Sequence, residues 1–316
     1  MNKKPIVGIS TCLLGEKVRY DGGHKLNHYL KDNLGMYVDF YPVCPEVECG
    51  LSVPREAMRL VEQNGQIHLM TQKSKKNMTL QMKKWMKQKL KVLSQLSLCG
   101  FIFKSKSPSS GLFRVKIYHD NGNVVKSGSG LFAKGVLDAF PLLPVEDDGR
   151  LNDHQLRENF IERIFVMKRY HTLIQNNKTL RKLMDFHASH KYLLMAHSPQ
   201  TLKELGAFIA KGKMYSIEDV YQNYFENFLP ALKKIATVKK NTNVLHHIMG
   251  YFKKNLNKDE KEELLDVIDN YHQQLVPLIV PITLLNHYVR KYQPPYLENQ
   301  FYLNPHPMEL MLRNHV

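Results

Sequence analysis

Pro5-Ile-Val-Gly-Ile-Ser-Thr-Cys-Leu-Leu-Gly15 is the stretch on which the fold turns: a short apolar run leads directly to Cys12. Residues 5–10 have the length and β-branched content of a buried strand. Outward from it, Gly22-Gly23 marks a turn and residues 25–34 read as helix-like. Residues 38–43 are a second strand, 67–71 a third and 100–103 a fourth. Between the last two, residues 75–96 carry helical period. Residues 115–119 and 124–125 flank Asp120-Asn-Gly122, a hairpin-turn signal. A helix over 131–140 and a strand over 142–145 complete the series. Strands that alternate with helices predict an α/β domain with a largely parallel sheet over residues 1–150.

The second half has another character. Residues 153–175, 178–195, 198–209, 216–236, 242–255, 258–274 and 281–292 all read as amphipathic helices, which predicts an all-α domain over 151–316. Ser216 with Asp219, and Asn257 or Lys258 before Asp259-Glu260, are helix-start signals. Glu146-Asp-Asp-Gly149 is the expected junction. Residues 293–307, rich in Pro, Tyr and Asn, read as an extended arm packed on a domain.

Of the 316 residues, 43% are hydrophobic and 23% charged, a globular composition rather than a disordered one. Four scattered cysteines do not form a secreted disulfide framework; in a reducing cytosol they are free, metal-binding or catalytic. The N-terminal apolar run is too short for a signal-peptide core, and no stretch approaches the roughly 18 apolar residues of a membrane helix. The expectation is a cytoplasmic protein with no membrane association and no obligate protein partner. Lys and Arg outnumber Asp and Glu by 45 to 29, a net charge of +16 that favours a polyanion such as nucleic acid.

In α/β sheets, functional groups gather in loops at the carboxyl ends of strands. Cys12 follows the first strand, Cys44-Pro45-Glu46 the second, and 105–111 the strand at 100–103. Two thiols, a carboxylate and a hydroxyl-rich loop thus reach what could be one edge. The plainer alternative is that each cysteine is a small buried hydrophobe.

The words TCLLGEKVRYDGG at 11–23, PVCPEVECGLSVPR at 42–55 and KSKSPSSG at 104–111 resemble the thiouracil-desulfidase family. KYLLMAHSP at 191–199, NVLHHIMGYFK at 243–253, PLIVPITLLNHY at 277–288 and YLNPHP at 302–307 resemble the helical domain of YbgA-type proteins. The two together resemble the desulfidases that convert 4-thiouridine in tRNA to uridine. That resemblance implies a [4Fe-4S] cluster on three cysteines, with one iron open to the sulfur of the substrate. Matched position by position, it implies Cys12 and Cys44 as the first two ligands, Glu46 as the catalytic carboxylate and Ser107 as the catalytic serine. Those residue types suit the chemistry: iron and sulfur are mutually soft, water addition needs a base, and a hydroxyl can deliver a proton or stabilise an adduct.

The third ligand of that family is the last residue of Ser-Pro-x-Cys, and this chain has Ser110 there. A hydroxyl is harder and far less acidic than a thiol. Three readings stay open: a natural variant with a lost or altered cluster, an engineered Cys→Ser form, or substitution by Cys49 or Cys99. Cys49 falls in a loop near the expected site, whereas Cys99 precedes its strand and points to the opposite end of the sheet.

Elsewhere, lysines crowd residues 73–91, Lys83 and Lys87 among them, around an inward stripe of Met82, Trp85, Met86, Leu90 and Leu93. They are either a solvated face or a phosphate track. Arg19, Asp21 and Arg55 are candidate substrate or RNA contacts; a turn for Asp21 and a structural ion pair for Arg55 are the alternatives. His197, His246, His247 and His287 read as core or surface histidines, because adjacent His246 and His247 point to two helix faces. Ser127-Gly-Ser-Gly130 lacks the lysine of a phosphate loop and reads as a helix start. Two functions follow: an iron–sulfur tRNA desulfidase, or a non-catalytic RNA-binding relative whose site is impaired at Ser110.

Overall fold

The computed structural model describes residues 3–119 and 122–315, so Asp120 and Asn121 of the expected hairpin turn lie outside the described residues. The chain divides into two compact units, Met1–Asp153 and His154–Val316. The segment 146–149, expected as the junction, carries instead the end of a buried strand.

The first unit is α/β and its main sheet is fully parallel. Strands β1 (Ile6–Ser10), β2 (Asp39–Val43), β5 (Leu98–Phe103) and β8 (Val145–Asp147) lie in the order β2-β1-β5-β8. A second, mixed sheet has the order β4-β3-β6-β7, from β3 (Met58–Gln63), β4 (Gln66–Thr71), β6 (Val115–Tyr118) and β7 (Val124–Gly128). The sequence reading missed β3. Its signal is Asn64-Gly65, both at positive φ (49° and 74°), the two-residue turn that joins Gln63 to Gln66.

Two helices cover the parallel sheet. Helix α1 (Pro45–Glu48) is a single turn; α2 (Thr79–Ser94) and α3 (Leu131–Ala139) supply the cover. Phe101, Phe103, Phe132, Leu93, Leu98 and Val136 form one core, and Leu60, Leu69, Met82, Val115 and Ile117 another, with Trp85 packed against both. The stripe on α2 is therefore core. Gly8 lets β1 run over the Phe101 ring: a Cβ there would sit 2.2 Å from a ring carbon.

Two expected elements differ. Residues 25–27 are not helical, because the Lys25 and Asn27 amides donate to the carbonyls of Cys12 and Leu13; helical structure starts at His28 and runs through a π-type turn at Tyr29–Asn33 into a 3-10 turn at Leu34–Met36. The last strand starts at Val145, after Pro144, which has no N–H to give the ladder.

The second unit is helical: α4 (His154–Gln175), α5 (Leu180–Ser189), α6 (Lys191–His197), α7 (Pro199–Ala210), α8 (Ile217–Ala231), α9 (Val238–Met249), α10 (Lys258–His272), α11 (Ile279–Tyr292) and α12 (Pro295–Glu298). The expected helix over 178–195 is two, broken at His190. Side chains of Thr179, Ser198, Ser216, Thr237 and Asn257 cap their helices, with a full capping box between Asn257 and Glu260. The tail contributes α12 and buries Tyr302 and Leu303. Among the described residues, no helix is long and apolar enough to cross a membrane.

Candidate functional site

Parallel strands β1, β2 and β5 end on the same edge, and their exit loops enclose a cavity of about 380 Å³. Cys12, Cys44, Glu46, Ser107 and Ser110 all line it, with Arg19, Lys25, Arg55, Lys104 and Lys106 around them. Asp21 does not line it. Its carboxylate accepts the Gly23 amide at 3.0 Å and pairs with Arg19 at 3.5 Å, so it shapes the turn that carries Arg19.

Each thiol is fixed by backbone. Cys12 sits in the 3-10 turn Thr11–Leu14, closed by Gly15 at φ 97°. Cys44 is the N-cap of α1, with Pro45 opening the helix. Its amide donates to Glu48 Oε1 at 2.9 Å, and Glu48 Oε2 pairs with Lys89 at 2.8 Å. Lys89 thus leaves the lysine face of α2 and supports the cysteine loop, while Lys83 and Lys87 stay exposed and outside the cavity. Burial pushes the Cys12 thiol up to about 11 and Cys44 up to about 12, the Glu46 charge adding to the second.

The serine loop is held by glycines and by α3. Gly111 donates to the Ser107 carbonyl at 2.7 Å, and a Cβ at Gly111 would lie 2.6 Å from that oxygen. The amides of Leu131 and Phe132, at the start of α3, donate to the carbonyls of Pro108 and Ser109. Lys104 pairs with Asp148 at 3.0 Å, and the Ser105 amide donates to the same carboxylate at 2.7 Å.

Glu46 meets three neighbours. Oε2 lies 3.7 Å from Cys44 Sγ and 3.9 Å from the Arg55 guanidinium, and Oε1 accepts the hydroxyl of Ser109. Arg55 also donates to the Val18 carbonyl at 3.0 Å, so it ties the first cysteine loop to the carboxylate. Ser109 is fully buried and absent from the sequence-level candidates. Three near-adjacent serines carry no one-dimensional mark of which one reaches Glu46.

The donor set for a soft metal group is two thiols and a hydroxyl. Ser110 is buried, with Oγ 3.5 Å from Ser109 Oγ, the outer limit of a hydrogen bond. Cys49 is half-buried outside the cavity lining and donates to the Glu46 carbonyl at 3.2 Å. Cys99 is buried near the start of β5, away from the cavity. Among the described residues no group of three His, Cys, Asp or Glu side chains is arranged to hold a metal. His246, His247 and His287 are exposed, and His197 is buried against Glu162.

Residues 7–148 match the family model of 2-thiouracil desulfurase. The chain belongs to this family. Residues 191–307 of this desulfurase-family protein match a second family, described as a protein of unknown function (DUF1722). The uncharacterized protein YbgA of Escherichia coli strain K12 is 29% identical over 165 residues, 52% of this chain and 98% of its own. A solved structure of the [4Fe-4S]-dependent thiouracil desulfidase TudS is 30% identical; the match covers 48% of this chain and 93% of TudS, with a TM-score of 0.38.

Proposed function

We propose that the protein is an iron–sulfur-dependent desulfidase that converts 4-thiouridine in tRNA to uridine and releases sulfide. The observation that carries this reading is the convergence of Cys12, Cys44, Ser110, Glu46 and Ser107 on one cavity. Family membership supports thiocarbonyl chemistry. The charge of +16 and the cationic rim of Arg19, Lys25 and Lys106 support a polyanionic substrate.

The two cavity thiols supply part of the donor set that a [4Fe-4S] cluster of the kind named for TudS needs. Cys12 and Cys44 would hold it, with the loosely bonded Ser110 hydroxyl as a weaker third ligand. When bound, such a cluster supplies an iron position open to soft sulfur. The protein supplies the rest. Glu46 Oε2, steadied by Arg55, takes a proton from the water that adds to the carbon bearing sulfur. Ser107 stabilises the adduct from the facing loop. The oxygen of water becomes the carbonyl oxygen and sulfur leaves as hydrosulfide, a net hydrolysis.

The test is anaerobic reconstitution with iron and sulfide, then incubation with tRNA that contains 4-thiouridine. Loss of 4-thiouridine absorbance with release of sulfide is expected. Intact 4-thiouridine with both the native chain and Ser110→Cys would overturn the reading. Ser110 itself favours a second one, a non-catalytic RNA-binding relative. It predicts tRNA binding without turnover in the native chain, and turnover gained only in Ser110→Cys.

A further inference from the structure

We propose that Ser109 is a positioning residue that fixes Glu46 and Ser107 in one register and leaves Glu46 Oε2 as the working oxygen; this rests on the desulfidase reading above. As a carboxylate, Glu46 only accepts, so the single hydroxyl hydrogen of Ser109 goes to Oε1. Ser109 then has no hydrogen for Ser107, whose oxygen lies 2.9 Å away, so Ser107 donates to Ser109. The lone pairs of Ser107 receive the amides of Ser109 at 3.3 Å and Ser110 at 3.1 Å. The resting chain runs from Ser107 through Ser109 to Glu46, and Ser107 stabilises the adduct by swinging its single hydrogen, about its fixed oxygen, from Ser109 to the substrate.

Two consequences follow for the site. Oε1 is occupied, so the oxygen beside the Cys44 thiol and Arg55 is the one presented to water. The Ser107 oxygen is clamped by two amides and one hydroxyl, so its position is set before substrate arrives. Ser109 has no room to turn away: it is fully buried, and the start of α3 packs on its backbone, where a Cβ at Gly130 would meet the Ser109 carbonyl at 2.5 Å. Its hydroxyl is therefore a fixed bridge between β2's exit and β5's exit.

The test compares Ser109→Ala, Ser109→Thr and Glu46→Gln with the native chain in two measurements. The first is 4-thiouridine turnover of the reconstituted protein. Ser109→Ala is expected to lower kcat about 10- to 100-fold with KM within about twofold, with partial recovery in Ser109→Thr. The second needs no turnover: infrared difference spectra of cluster-free protein, with the Glu46 carboxylate band assigned by subtraction of Glu46→Gln. Loss of the Ser109 hydroxyl is expected to shift that band. An unshifted band overturns the positioning role whatever the activity. So does a native kcat in Ser109→Ala. If the native chain has no desulfidase activity but the band shifts, the desulfidase reading fails while the bridge stands.

Discussion

The Cys44 thiol lies 3.7 Å from Oε2 of Glu46, so the thiol proposed as a metal ligand and the carboxylate proposed as the base share one corner of the cavity. The carboxylate opposes ionisation of the thiol, and burial opposes it more. With Cys44 held up to about 12 and Cys12 up to about 11, both are thiols in cluster-free protein at neutral pH. Iodoacetamide at pH 8 should label the half-buried Cys49 ahead of both, and Glu46→Gln should speed labelling of Cys44. Equal native labelling of Cys44 and Cys49 by peptide mass spectrometry would contradict this. The sign for stability follows from the same shifts. The unfolded thiols ionise near 9.0 and the folded ones higher, so their contribution is present below pH 9 and lost as pH rises through about 11–12.

Ser110→Cys should raise cluster retention. A thiolate replaces a hydroxyl that must lose a far less acidic proton to ligate iron. Iron and acid-labile sulfide per chain, measured after anaerobic gel filtration, should approach a full four-iron complement in the variant and fall short in the native chain. Equal, full occupancy in both would show that the hydroxyl suffices.

Gly8→Ala should disturb the site from a distance of one strand. The new methyl meets the Phe101 ring at 2.2 Å, so β1 and β5 must part or the ring must leave its stack with Phe103. Overpacking of this kind costs roughly 1–3 kcal/mol. Denaturant unfolding should show that loss, together with faster labelling of Cys12. An unchanged midpoint would mean that Phe101 yields freely.

In the helical unit, His197 and Glu162 form a buried pair at 2.6 Å, and the other ring nitrogen faces the Lys234 carbonyl. Burial disfavours both charges, but each partner outweighs it: Glu162 holds His197 above 6.5, and His197 with Arg313 holds Glu162 below 4.5. The His197 contribution is therefore complete below pH 6.5 and lost as pH rises through its raised value. That of Glu162 is present above pH 4.5 and lost as pH falls through its depressed value. His197→Phe should cost about 3–5 kcal/mol, because it strips a partner from a buried carboxylate. Guanidinium unfolding near pH 6 checks it; a loss under 1 kcal/mol would show that Arg313 alone suffices.

Reversing Lys83 and Lys87 to Glu should weaken tRNA binding and flatten its salt dependence by about two units of log K against log salt, near 0.9 for each phosphate no longer neutralised. Filter binding across 50–300 mM salt measures the slope. An unchanged slope would make this face of α2 a solvated surface only.

The parallel direction of β1, β2 and β5 was readable from apolar runs that alternate with helices, and so was the grouping of their exit loops, but the order β2-β1-β5 came from the structure alone. The mixed sheet was not, because β3 is half-exposed and carries Arg59, Glu62 and Gln63 among its apolar residues. The helix expected at 25–34 starts three residues late, at His28, for a related reason: the Lys25 and Asn27 amides are taken by carbonyls more than ten residues away, a long-range claim that no local pattern records.

By itself, the sequence determined which residue types stand at three strand ends, and that a hydroxyl, Ser110, stands where the family resemblance implies a third thiol. Motif and period are local, and those facts are local. Only the tertiary structure decided that Asp21 builds a turn and stays out of the cavity, that Lys89 supports Cys44 through Glu48, and that Ser109 is the serine that reaches Glu46. The last two depend on which atoms meet across the edge of a sheet, where partners far apart in the chain come within hydrogen-bond distance.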